Sequence, residues 1–135
     1  MNSPTTNAGK PNAASGLRGR RALFVLYAIA LLVATHWPKL TIRGPIERPD
    51  LLLHAGAFGL WTLLLIACGF FGRVLSTRNI LICAAIGVVY APLDELSQSL
   101  PGLHRVSAVD DALANLLGIA LAGGACLGLA AIRRA

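Results

Sequence analysis

Residues 51–71 read LLLHAGAFGLWTLLLIACGFF, twenty-one positions in which His54 is the only strongly polar side chain. Wound as an α-helix, the run is about 31 Å long, enough to cross a hydrocarbon layer of about 30 Å. A helix lying on a soluble domain carries a polar face that recurs every three or four residues, and this run has none. Gly72-Arg73 ends it. A chain with one such segment has to be read as a membrane protein along its whole length.

Upstream, residues 1–16 are rich in Asn, Ser, Thr, Pro, Gly and Ala without an apolar period, the composition of a disordered tail. Arg18-Gly-Arg20-Arg21 follows, then an apolar run from Ala22 to Trp37. Basic residues before a short apolar run also describe a signal peptide. The Ala28-Ile-Ala30 triplet falls too early in the run for cleavage, so the segment reads as a retained first span. Downstream, a third run extends from about Asn79 to Gln98, with Pro92, Asp94 and Glu95 in its last two turns. Leu100-Pro101-Gly102 marks a turn, and a fourth run leads from Val109 to Ile132 before Arg133-Arg134. The expected fold is all-α, a four-helix transmembrane bundle with spans at about 22–38, 51–71, 79–98 and 109–132. Residues 1–19 form a basic tail and residues 20–135 one transmembrane domain.

Composition agrees. The 135 residues are 56% hydrophobic and 13% charged, with a mean hydropathy of +0.67, against roughly 25% charged residues in soluble domains. The net charge of +6 does not point to nucleic acid, because the cations are scattered between apolar runs. Cys68, Cys83 and Cys126 lie inside apolar segments, form no CxxC pair and read as small packed thiols.

The charges sort by side. The N-terminal tail, the loop between the second and third runs and the C-terminus carry eight of the twelve Lys and Arg residues. The positive-inside rule therefore places both termini in the cytoplasm. All six acids, Glu47, Asp50, Asp94, Glu95, Asp110 and Asp111, fall on the other side with His36, His54 and His104, leaving that side at −2 against +8. Ionisable groups at membrane depth cost about 2.5–3.5 kcal/mol each on insertion scales and face a bundle interior or wet cavity. The candidate functional cluster is Asp50, His54, Asp94, Glu95, Gln98, Arg105, Asp111 and Asn115, with Tyr90, Asp94 and Gln98 on an i, i+4, i+8 line. Asp94 and Glu95 point about 100° apart, so one of them is expected to face the site. They sit at a helix C-terminus, where the dipole disfavours anions, and Arg105 is the nearest compensating cation in sequence.

The pattern Asp94-Glu95-x-x-Gln98, Pro101-Gly102, Arg105-x5-Asp111-x3-Asn115-x-x-Gly118, together with Asp50-x-x-x-His54, resembles the VanZ-like family of small bacterial membrane proteins. The family takes its name from a protein associated with low-level resistance to the glycopeptide teicoplanin, and its biochemical activity is not established. The resemblance implies a bacterial plasma-membrane setting and a functional polar site, not a reaction. Several positions depart from the family pattern. Leu51 stands where a Lys is common, and Phe58 where a Tyr is common. The Pro-Gly-Arg turn is interrupted by Leu103-His104, and Ser107 comes one place early.

Plainer readings exist for each feature. Asp50 and Asp110 suit helix starts, Asn115 suits interhelical bonding, and the stripes Ala114–Gly118–Ala122 and Ala120–Gly124–Gly128 suit close packing. Pro92 is expected to kink the third span, and Tyr27, Trp37 and Trp61 to meet lipid or interface. The leading functional expectation is a non-enzymatic protein binding a lipid-linked or peptidoglycan-related envelope head group. The alternative is a membrane-interface enzyme using His54 with a carboxylate as acid and base, or a metal held by His54, Asp94 and Asp111. No HExxH or similar ligand spacing is present, so no resident metal or cofactor is expected, and the catalytic residues are unassigned. A third possibility is an ion-pair network that only locks the helices. A through-membrane ion path is disfavoured, because nothing titratable continues toward the inner side. The oligomeric state is left open.

Overall fold

The computed structural model describes residues 13–37, 48–98 and 109–135. Among these every regular element is a helix: α1 (Ala13–Thr35), α2 (Pro49–Ala67), α3 (Thr77–Gln98) and α4 (Val109–Ile132). Helices α2, α3 and α4 are each long and apolar enough to cross a membrane. Helix α1 begins inside the stretch read as tail and carries Arg18, Arg20 and Arg21, leaving residues 22–35 without charge. That part is about 21 Å long, short of a hydrocarbon core, so α1 is not among the helices long and apolar enough to cross, although it starts earlier than the run expected as a first span. Residues 1–12, including Lys10, lie outside the described residues.

Local chemistry sets the helix ends. Helix α2 starts with Pro49, whose fixed φ suits a first helical position and whose missing N–H costs nothing there. It stops at Ala67, four residues before the end of its apolar run, because Gly69 turns left-handed at φ +58°. Asn79 then knits the turn into α3. Its Oδ1 accepts from the Phe71 N–H (3.1 Å), and its Nδ2 donates to the Ile66 (3.0 Å) and Val74 (2.9 Å) carbonyls. Helix α3 stays continuous through Pro92.

Contacts show an up-and-down arrangement. Arg21 on α1 donates to the Cys68 carbonyl at the end of α2, and Arg134 after α4 donates to Thr77 at the start of α3. At the opposite end Thr35 closes α1 against Asp94 of α3. Helices α2 and α4 approach closest. A Cβ on Gly59 would lie 3.2 Å from the Gly118 carbonyl oxygen, and one on Gly118 would overlap the backbone of Ala55. Close backbone approach through small residues is how helices associate where lipid supplies no hydrophobic drive. The Gly118–Ala122 stripe does pack inward. Gly124 and Gly128 instead face outward with nothing nearby, so that stripe makes no interhelical contact within the described chain.

The core holds Phe58, Ile66, Ile80, Cys83 and Ile119, all essentially inaccessible. Trp61 belongs to it rather than to the lipid face, contrary to expectation. Its ring stacks on Tyr90 at 5.2 Å and meets the edge of Phe24 at 5.4 Å, since one helix face must fill the space beside the glycine contact. Outside, Leu26, Leu52, Val89 and Leu121 represent large apolar side chains exposed on all four helices. A soluble monomer rarely shows so continuous an apolar surface, whereas a lipid-facing bundle requires one.

Candidate functional site

The bundle end opposite the arginines gathers the start of α2, the end of α3 and the start of α4, with the end of α1 against them. Asp94, Glu95, Gln98 and Asn115 are all nearly fully buried here. Asp94 and Glu95, adjacent on α3, enter two different networks. Both face inward, because α3 has a neighbour on each side.

The first network centres on Asp94. Its Oδ1 accepts from the Tyr90 hydroxyl (3.3 Å) and the Thr35 hydroxyl (3.3 Å), and its Oδ2 from Gln98 Nε2 (3.1 Å). Along the i, i+4, i+8 line, Tyr90 and Gln98 therefore donate from either side to the Asp94 carboxylate between them. Beside it, His36 Nε2 and Ser97 Oγ share a hydrogen bond of 2.9 Å.

The second network joins α2, α3 and α4. Asn115 donates through Nδ2 to Glu95 Oε1 (3.2 Å) and presents its Oδ1 to His54 Nδ1 (3.1 Å). His54 Nδ1 also lies 3.7 Å from Glu95, and its Nε2 lies 3.6 Å from Asp111 Oδ2. Asp111 Oδ1 is buried and has no hydrogen-bond partner among the described residues. One ligating atom from each of His54, Glu95 and Asp111 falls within 4.8 Å of the others.

The expected cluster is thus only partly assembled. Asp50, one turn before His54, turns outward to Arg48 (3.3 Å), and Arg48 also binds Asp110 (3.0 Å). These are exposed groups clamping the starts of α2 and α4, where ion pairs contribute little. Asp110 is a surface charge, as its helix-start position suggested. Asp94 does not share the His54 site; Glu95 takes the place expected for it in a metal set. Arg105, His104 and Glu47 lie outside the described residues. Thr35, Arg48 and Ser97 were not singled out from sequence. Arg48-x-Asp50 was the one available signal, a cation close enough in the chain to capture the acid.

At the other end a cleft of about 560 Å³ is lined by Arg20, Arg73, Arg133 and Arg134 with Ser76. The two ends are thus chemically opposite: arginines around an open cleft, and buried acids around one imidazole.

Comparison with protein-family models, with curated proteins and with solved structures gives no match, and so lends the VanZ-like resemblance no support beyond its motif residues.

Proposed function

We propose that this chain is a multi-span bacterial plasma-membrane protein whose buried acid cluster binds a cell-envelope component through hydrogen-bond donors of its head group. One observation carries the reading: three carboxylates, Asp94, Glu95 and Asp111, are drawn into one end of the bundle, and among the described residues His54 is the single basic side chain within 4 Å of Glu95 and Asp111. A site so rich in acceptors suits amine, amide and hydroxyl groups, which lipid-linked and peptidoglycan-type head groups present. Asp111 Oδ1, without a partner among the described residues, supports the same reading, since buried polar atoms in native structures are almost always satisfied. The resemblance of its motif residues to the VanZ-like pattern is the reason glycopeptide tolerance is the readout for such a site.

In this reading the acid end faces outward and the arginine cleft faces the cytoplasm, where positive residues are favoured and leaflet lipids are anionic. Helix α1 serves as the fourth span, its arginines snorkelling from a short apolar stretch to the interface. Asp94→Asn and Glu95→Gln test the proposal. Cells producing either variant at wild-type membrane levels should lose any protection the native protein gives against teicoplanin. Unchanged sensitivity in both, with the protein folded and inserted, would refute it. An enzyme acting at the same site is the second reading, favoured by His54 standing between two carboxylates at 3.6 and 3.7 Å, the setting of an acid–base histidine. Release of a modified head group by purified protein would decide for it.

A further inference from the structure

We infer that His54, Glu95 and Asp111 form a binding site for one divalent transition-metal cation, with Asn115 as its positioning residue. The inference goes beyond head-group binding and stands on the geometry of these four side chains.

The tautomer argument comes first. An ionised Glu95, the form a metal ligand takes, cannot donate, so Asn115 directs its NH2 group to Glu95 and leaves its Oδ1 facing His54 Nδ1 at 3.1 Å. Two acceptors cannot share a hydrogen bond, so Nδ1 carries the proton. In the neutral ring Nε2 then holds a lone pair 3.6 Å from Asp111 Oδ2. Lone pair and carboxylate facing each other inside a bundle repel unless a proton or a metal cation lies between them. Asp111 Oδ1, buried and without a donor among the described residues, adds to the demand. An imidazole whose other nitrogen donates to a neighbouring oxygen is the usual form of a metal-ligating histidine.

Distances and donor types fit. Around an ion with bonds of about 2.0–2.1 Å in tetrahedral array, ligand atoms stand about 3.3–3.4 Å apart. The His54–Asp111 pair is already near that spacing, and the full set, within 4.8 Å, needs side-chain shifts of about 1 Å. One imidazole nitrogen with two carboxylate oxygens suits Zn²⁺, Mn²⁺ or Fe²⁺ rather than the thiolate-seeking ions. Three protein ligands leave a coordination position open.

The test uses full-length protein carrying a non-histidine affinity tag, purified in detergent, equilibrated with Zn²⁺ or Mn²⁺ and desalted before elemental analysis. The expected result is about one ion per chain, lost in His54→Ala and Asp111→Asn, retained in Asp50→Asn, and bound about 10- to 100-fold more weakly in Asn115→Ala. A readout without substitutions guards against variants that fail to fold. In the wild-type protein added Zn²⁺ should protect His54 from diethylpyrocarbonate and leave His36 as reactive as before. Far less than one ion per chain with either metal, or an ion that persists in folded His54→Ala and Asp111→Asn, overturns the inference, as does unprotected His54. A protein that binds the ion but gives no teicoplanin phenotype would sink the head-group reading alone. A phenotype without bound ion would sink the metal site alone.

Discussion

The α2–α4 crossing gives the sharpest test of how the fold positions the site. Gly118 packs so closely on Ala55 that an added Cβ would lie 2.8 Å from the Ala55 carbonyl carbon and 3.0 Å from its Cα, closer still to the oxygen. The obstacle is helix backbone on both sides and cannot rotate away. Gly118→Ala must therefore separate the two helices by on the order of 1 Å, since interiors are packed too densely to absorb the methyl group. Overpacking of this kind costs about 1–3 kcal/mol, which multiplies the unfolded-to-folded ratio by roughly 5- to 150-fold.

Cys83 offers a direct assay, being fully buried in the core. Its labelling by a thiol reagent in detergent, in a Cys68→Ala/Cys126→Ala background, should accelerate by that factor if opening limits access through a pre-equilibrium. The same displacement acts on the site one turn away, where His54 and Asn115 face each other across this crossing at 3.1 Å. Metal retention should fall together with stability. Gly124→Ala is the control, because nothing lies within 4 Å of the Cβ it would add. If Gly118→Ala labels no faster than Gly124→Ala, the close crossing is not what holds α2 to α4, and the reasoning fails.

Two further outcomes follow from the same structure. Asn79→Leu keeps the volume but strips partners from the Phe71 N–H and from the Ile66 and Val74 carbonyls. It should cost about 2–4 kcal/mol, read as a lower midpoint in circular-dichroism melting, and a wild-type midpoint would contradict that role. For orientation, green fluorescent protein fused at either terminus should fluoresce, while alkaline phosphatase inserted within residues 38–47 should be active. Active phosphatase at a terminus would reverse the proposed sidedness.

Much of the fold was legible because hydropathy and length alone decide whether a helix can cross lipid, and α2, α3 and α4 satisfy both. Boundaries were harder, for local reasons. The apolar run past Ala67 looked like more helix, yet Gly69 at φ +58° ends it, and a glycine's sign of φ is not written in composition. The start of α1 was hidden because Ala13 to Gly19 has no apolar period, so periodicity gave no reason to extend a helix there. Trp61 was placed outside because an aromatic in an apolar run has no preferred face until its neighbours are known. Tyr90 and Phe24 supply that face.

The site separates what spacing reveals from what only packing reveals. Spacing placed Tyr90, Asp94 and Gln98 in line, and they are joined. Spacing also put Asp50 beside His54, but Arg48, two residues away, captures it at the exposed helix start. The angle between Asp94 and Glu95 was readable, whereas the helix standing opposite each was not. An anion at a helix C-terminus needs compensation, and for Asp94 that comes from three neutral donors, Thr35, Tyr90 and Gln98. Neutral donors lower the energy of a buried carboxylate without cancelling its charge. Nearby, Glu95 and Asp111 flank the single imidazole of His54 at 3.7 and 3.6 Å, in surroundings where unlike charges attract strongly and like charges repel strongly. A purely structural lock would be expected to balance its charges, because half-compensated buried groups cost more than apolar packing would. Among the described residues two carboxylates thus share one imidazole at His54, Glu95 and Asp111, and the metal and head-group experiments determine what partner meets them.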